Sequence, residues 1–344
     1  MTPKTIHILS PSGAIAPDLI DRAAERLRLF GYRVSVAPHA YGAYGRFAGT
    51  PAERIADLAD ALANPANDAN LCARGGYGQQ QKLPALDNRE LLLWPLALAL
   101  ASGSPQICRF VGKSGGLGCF DDDGVVSRCN PSTEREREPI IIGFSDITAL
   151  HQWCGLHGIP SLHALMCKHL AELPLDSEPV QLWHQALQGE PLCYTLPAHP
   201  LNRAGQITGR LIGGNLSVLY GLQGTPYSLA RLLDAEPDTP AILFIEDIAE
   251  RHYHIDRMMQ NLRMSGVLSR IAGLVVGQFS DCDDDPSMNC SVAETILRAT
   301  DGYDYPVLFD FPAGHVERNL PLWLNAPCSL SVGNDCLLQS KKYR

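Results

Sequence analysis

The stretch Ile140-Ile141-Ile142-Gly143-Phe144-Ser145-Asp146-Ile147-Thr148-Ala149-Leu150 constrains the fold more than any other segment. Three β-branched residues in a row read as a fully buried strand. Gly143 then marks a sharp turn, and an apolar run with helical spacing follows. The result is a strand–turn–helix with a serine at its apex. A rigid strand end and a helix N-terminus, with its free N–H groups and positive potential, suit a nucleophile and an oxyanion. The plainer reading is that Ser145 or Asp146 only caps the helix.

The preceding chain sets the class of sheet. Residues 5–9 read as a strand, Pro17 to Phe30 as a helix closed by Gly31, residues 32–36 as a strand, and Pro51 to Leu62 as a helix capped by Thr50. Residues 70–73 form a further short strand that runs into Arg74-Gly75-Gly76-Tyr77-Gly78. This alternation implies a parallel sheet with helices on its faces, and ligands in such sheets bind at the carboxyl ends of strands. The Arg74–Gly78 turn and Ser145 both lie at such ends. The glycine turn lacks G-x-G-x-x-G spacing, so it does not read as a dinucleotide site. Glycines also let a backbone N–H come close to a substrate. Gly112-Lys113-Ser114 is not a phosphate loop, because Ile107 stands where the first glycine is required.

The chain has 344 residues, a length that favours two domains. Its net charge of −9 and lack of a basic run argue against nucleic acid and anionic membrane partners. The 11 cysteines show no C-x-x-C pair and no zinc-type spacing. An odd count cannot pair completely within one chain, which points to a reducing compartment. The opening apolar segment is too short for a signal-peptide core and reads as a first strand, so the expected location is cytoplasmic. Residues 96–138 carry turn clusters and a mixed charge run. They read as a long surface insertion, with a small hairpin at Cys108 to Val111 and Val125 to Val126. The Asp121–Asp123 run lacks EF-hand spacing and reads as a solvated loop.

Domain one is placed at 1–173, a linker at 174–204 with one helix at Val180 to Leu187, and domain two at 205–344. The second half opens with a strand, a glycine turn at Gly213-Gly214 and a helix that starts after Asn215. The buried strand Ala241–Ile245 ends in Glu246-Asp247. Strands are also expected at 273–277 and 307–311, the latter followed by Gly314-His315. A strand-end acid can equally be an exposed loop residue, and a lone histidine a structural one. Ser145, Glu246 and His315 nevertheless supply the three chemistries of a Ser-His-Glu triad: nucleophile, base, and a carboxylate that fixes the base's tautomer. Ile147 occupies the place of the second glycine of G-x-S-x-G, so the triad is not that of an α/β-hydrolase.

Five blocks in order resemble the LD-carboxypeptidase family of serine peptidases. They are Arg74–Gly78, Gly143–Thr148, Gly209–Leu216, Ile245–Asp247 with Tyr253 and Ile255–Arg257, and Gly314-His315 with Asn319 and Pro321. The resemblance covers nearly the whole chain except residues 96–138. It implies an α/β fold with a flavodoxin-like N-terminal domain, a smaller C-terminal α/β domain, and a site in the cleft between them. It implies Ser145 as nucleophile, His315 as general base, Glu246 as the group orienting the imidazole, and the N–H groups of Gly76 and Asp146 as oxyanion hole. No cofactor or metal is implied. The substrate would be a murein tetrapeptide losing its terminal D-alanine, and the enzyme a homodimer. Arg74 suits a partner for the substrate carboxylate and equally a structural role, and Asn215 and Ser217 are placed as cleft residues. Tyr253, Asp256 and Arg257 are taken to pack the helix behind Glu246. A related hydrolase of microcin-type peptide antibiotics and a non-catalytic muropeptide-binding protein are the competing readings.

Overall fold

The structure is a computed structural model that describes residues 4–87, 119–120, 126–127 and 139–341. In chain order the first half holds β1 (Thr5–Leu9), α1 (Pro17–Leu29), β2 (Arg33–Val36), α2 (Pro51–Ala63), β3 (Ala69–Cys72), α3 (Leu83–Leu86), β4 (Cys119–Phe120), β5 (Val126–Ser127), β6 (Ile140–Gly143), α4 (Thr148–Leu156), β7 (Ser161–His163) and α5 (Cys167–Glu172). The second half holds α6 (Glu178–Leu187), β8 (Cys193–Pro197), β9 (Gly205–Asn215), α7 (Leu216–Gly221), α8 (Leu229–Ala235), β10 (Ala241–Ile248), α9 (His252–Met264), β11 (Gly273–Ser280), α10 (Val292–Arg298), β12 (Val307–Leu308), β13 (Leu322–Leu324), β14 (Ala326–Val332) and β15 (Asp335–Ser340).

The first sheet runs β2-β1-β3-β6-β7-β13. Its first five strands are parallel and β13 closes it antiparallel to β7. The strand order reverses at β1, the type of point where a flavodoxin-like sheet opens a crevice at its carboxyl edge. Every residue of β6 is buried, as expected for a strand covered on both faces. Each fully buried isoleucine there contributes about 1.5–3 kcal/mol. Local signals explain the flanking helices. Thr50 and Glu53 form a capping box at α2 with Pro51 at its first position, and α1 stops where Gly31 turns to φ 84°.

The second sheet runs β12-β11-β10-β9-β14-β15-β8. Strands β9 to β12 are parallel, and the remaining pairings are antiparallel. Two connections depart from the sequence reading. The stretch expected to be a linker carries α6 and also β8, whose alternating exposed and buried residues place it at the edge of the second sheet. In return, β13 leaves the second half and pairs with β7 of the first sheet. The chain therefore crosses between the sheets three times rather than once. The expected hairpin arm at Cys108 to Val111 and the Asp121–Asp123 run lie outside the described residues; the short pair seen is Cys119–Phe120 with Val126–Ser127. Eight cysteines among the described residues are free thiols. Among the described residues, no helix is long and apolar enough to cross a membrane.

Candidate active site

Three turns meet at the carboxyl ends of β1, β3 and β6. The residue after Phe144 is Ser145, whose φ of 67° lies in the left-handed region. For a residue with a Cβ that conformation costs about 1–2 kcal/mol. Strain of this kind persists where the surroundings over-determine it, commonly at functional sites. Neither Ser145 nor Asp146 caps a helix through its side chain: the short 3-10 turn Ser145–Ile147 has Phe144 at its N-cap with no side-chain bond, and α4 begins only at Thr148. The capping reading is therefore excluded.

The glycine turn lies directly against this serine. A Cβ on Gly75 would stand 2.9 Å from Ser145 Cβ and 3.2 Å from its Oγ, so only glycine fits there. The next residue, Gly76, has φ 117°. Among the described residues, the N–H groups of Gly76 and Asp146 donate to no protein acceptor.

Glu246 is fully buried near the end of β10, beside Asn215 of β9. A register shift follows between Ile245 and Asp247 against β11, so the strand end splays its two acids. His315 Nδ1 lies 2.8 Å from Glu246 Oε2. A buried carboxylate accepts only, which puts the proton on Nδ1 and leaves Nε2 as the basic nitrogen. The loop holding the histidine is folded onto the acid. A Cβ at Gly314 would meet Glu246 Oε2 at 3.0 Å, and the Gly314 N–H donates to Asn319 Oδ1 at 3.0 Å. The imidazole lies edge-on to the Phe144 ring at 5.0 Å, so it sits against the nucleophile turn. The structure holds no hydrogen bond between Ser145 Oγ and His315, in keeping with unliganded serine–histidine pairs that tighten on binding.

Asp247, flagged only as half of a strand-end pair, proves to be a buried hub. Its carboxylate accepts from Asn215 Nδ2 (2.9 Å), the Ser217 N–H (2.8 Å), Ser217 Oγ (3.3 Å) and the Ile248 N–H (2.9 Å). Asn215 also accepts from the Val218 N–H and from Ser217 Oγ as N-cap of α7. The structure thus turns the two residues expected to line the cleft inward, onto Asp247. Thr148 joins the halves: the Asn215 N–H donates to its Oγ1 at 2.9 Å, over a Gly214 whose Cβ would collide with that hydroxyl at 2.4 Å. Arg74 is exposed and donates to the Ala14 carbonyl at 2.6 Å. Tyr253 is not packed behind Glu246; it is 46% exposed, with the Arg257 guanidinium over its ring.

Burial, and then the charge of Glu246, push the Asp247 carboxyl up to about 7. The folded protein then holds this proton more tightly than the unfolded chain, whose aspartate titrates near about 4. Stability from this group is fully present below about pH 4 and is lost as pH rises to about 7. The Asp247→Asn variant should lack this decline, so the difference in stability between the unaltered protein and the variant, measured by urea denaturation, should fall as pH rises from 4 to 8. A constant difference across that range would refute the assignment.

Two family models match the chain: the LD-carboxypeptidase N-terminal domain over residues 6–96 and the LD-carboxypeptidase C-terminal domain over residues 208–330. A putative carboxypeptidase of Synechocystis is 30% identical over 95% of this chain and 92% of its own length. The chain belongs to the LD-carboxypeptidase family. A murein tetrapeptide carboxypeptidase of Pseudomonas aeruginosa is 27% identical over 91% of this chain and 89% of its own. The crystal structure of a muramoyltetrapeptide carboxypeptidase from Oxalobacter formigenes shares the fold, with a TM-score of 0.75 over 99% of both chains at 23% identity. This LD-carboxypeptidase is accordingly a serine-type hydrolase with the two-sheet α/β architecture of its relatives.

Proposed function

We propose that this LD-carboxypeptidase removes the terminal D-alanine from murein tetrapeptide during peptidoglycan recycling, with Ser145, His315 and Glu246 as its triad. The observation that carries the reading is the pairing of buried Glu246 with the partly exposed His315, set against a strained serine turn. His315 Nε2 takes the Ser145 proton as Oγ attacks the carbonyl carbon on the L-configured centre. The N–H groups of Gly76 and Asp146 receive the oxyanion of the tetrahedral intermediate. Its collapse breaks the C–N bond, and His315 returns the proton to the amine of the departing D-alanine. Water, deprotonated by the same imidazole, then releases the acyl group from Ser145. Glu246 holds the imidazole and balances its positive charge at each stage.

The deciding experiment measures D-alanine release from N-acetylmuramoyl-tetrapeptide beside cleavage of an aminoacyl-sulfamoyl adenosine. Release from the muropeptide, lost in Ser145→Ala, supports the reading. Turnover of the sulfamoyl adenosine alone would move the substrate to microcin-type antibiotics, and turnover of neither would favour a binding protein.

Arg74 stands at the mouth of the glycine turn, and among the described residues one of its guanidinium nitrogens is hydrogen-bonded, to Ala14. We assign it to the terminal carboxylate of the substrate. Charge-assisted hydrogen bonds contribute about 1.5–3 kcal/mol, so Arg74→Ala should raise KM at least about tenfold. An unchanged KM in steady-state kinetics would return Arg74 to a structural role.

A further inference from the structure

The Asp146 side chain points away from the position its own N–H is proposed to serve, into a buried polar cluster. Only 3% of the residue is exposed. Its Oδ2 accepts from Ser12 Oγ at 2.7 Å and from the Gln79 N–H at 3.1 Å. Ser12 Oγ in turn accepts from Gln79 Nε2 at 2.8 Å. Ser12 lies in the turn after β1, Gln79 directly follows the glycine turn after β3, and Asp146 belongs to the nucleophile turn after β6. One carboxylate oxygen therefore latches three turns from three adjacent strands.

Two cations lie beneath the latch. Lys82 is fully buried and its Nζ donates to the Pro11 carbonyl. Arg54 is 1% exposed; it donates to the same carbonyl at 3.3 Å and to Gly49 O at 3.1 Å, with its guanidinium 4.6 Å from the Phe47 ring centre. Burial pushes the Asp146 carboxyl up, while the Ser12 and Gln79 hydrogen bonds, and then the charges of Lys82 and Arg54, pull it back down. Burial likewise lowers the Lys82 ammonium to about 7, helped by Arg54 and opposed by Asp146. Apolar residues of the same volume are often no less stable than a buried charged cluster. This cluster makes physical sense as a device for placement.

We propose that the Asp146 carboxylate is a positioning group for the oxyanion hole: it fixes the glycine turn against the nucleophile turn, with Lys82 and Arg54 as its buried counter-charges. The inference rests on the proposed use of the Gly76 and Asp146 N–H groups. These two donors come from different strands, and nothing in either strand alone sets the gap between them. The Asp146–Gln79 bond spans that gap only three residues after Gly76. Preorganisation of this kind acts on the transition state and leaves substrate binding nearly unchanged.

The test uses full-length Ser12→Ala and Asp146→Asn with the muropeptide substrate, beside Ser145→Ala. The probe for oxyanion geometry is a peptidyl boronic acid that forms a tetrahedral adduct on Ser145. A misplacement of about 1 Å can cost about 100-fold, so both variants should lose about 10- to 100-fold in kcat with KM within about threefold. Boronate affinity should fall by the same factor, and the thermal midpoint of Ser12→Ala should stay near that of the unaltered protein, whereas Asp146→Asn loses a buried counter-charge and should melt lower. Ser12→Ala deletes one small buried hydroxyl, so it decides the matter even if Asp146→Asn folds poorly. Unaltered kcat in a folded Ser12→Ala, or a loss of kcat with full boronate affinity, would overturn the proposal. Full activity in Ser145→Ala would instead overturn the serine mechanism beneath it, which the other two variants alone would not reveal.

Discussion

Replacing Ser145 by alanine should lower kcat for D-alanine release by on the order of 10⁴-fold or more, since removing the nucleophile leaves only binding and oxyanion stabilisation. Binding should survive, because among the described residues the hydroxyl makes no hydrogen bond that holds the turn. Isothermal titration of the variant with intact tetrapeptide reads this directly. A second substitution separates chemistry from backbone strain. Ser145 has φ 67°, a conformation glycine adopts freely and alanine does not. Ser145→Gly and Ser145→Ala both lack the hydroxyl, yet the glycine variant should be the more stable by roughly 1 kcal/mol, after the greater flexibility of its unfolded chain is counted. Chemical denaturation of the pair gives the number. Equal stability would mean the left-handed turn is not maintained. Residual activity near that of the unaltered enzyme would mean that another group attacks the carbonyl.

The strand-end logic reached the three triad candidates because each follows a mainly apolar run: Ile140–Ile142 before Ser145, Ala241–Ile245 before Glu246, and Val307–Phe311 before Gly314 and His315. Those runs need no tertiary knowledge to read. The parallel order of β1, β2 and β3 was legible because helices alternate with them, and β6 from its own apolar run, whereas the three-residue β7 was not read. What the sequence hid depends on contacts between distant residues. Lys82 and Arg54 look like ordinary surface cations in a polar stretch, and only the packing of α2 and the 79–82 turn buries them together. Asp247 sits beside a triad candidate with no local sign that Asn215 and Ser217 are turned toward it. Strand β8 alternates exposed and buried residues over five positions amid prolines, too short a pattern to stand out from a linker. The crossing of β13 leaves no trace in local periodicity, because pairing partners are set by the whole sheet rather than by the strand.

Glu246→Gln tests the other half of the site, and kcat should fall by about 10²- to 10⁴-fold with little change in KM. The acid is wholly buried and its Oε2 accepts from His315 Nδ1. A glutamine at that position has two choices. If it presents its carbonyl, the histidine keeps its tautomer but loses the negative charge that stabilises the imidazolium. If it presents its NH2, Nδ1 must accept, the proton moves to Nε2, and the base can no longer receive the serine proton. Either way the loss falls on the chemical step, which rapid-quench kinetics separates from product release. The same variant removes one of the two causes that raise the Asp247 carboxyl. The pH-dependent decline in stability should therefore end at a lower pH than in the unaltered protein. A merely structural glutamate could alter stability but would not act through the imidazole. The double variant Glu246→Gln, His315→Ala settles that point: if the acid works only through His315, it should be no slower than His315→Ala alone. Multiplying losses would show that Glu246 has a role independent of the histidine, and an unaffected single variant would remove it from the site.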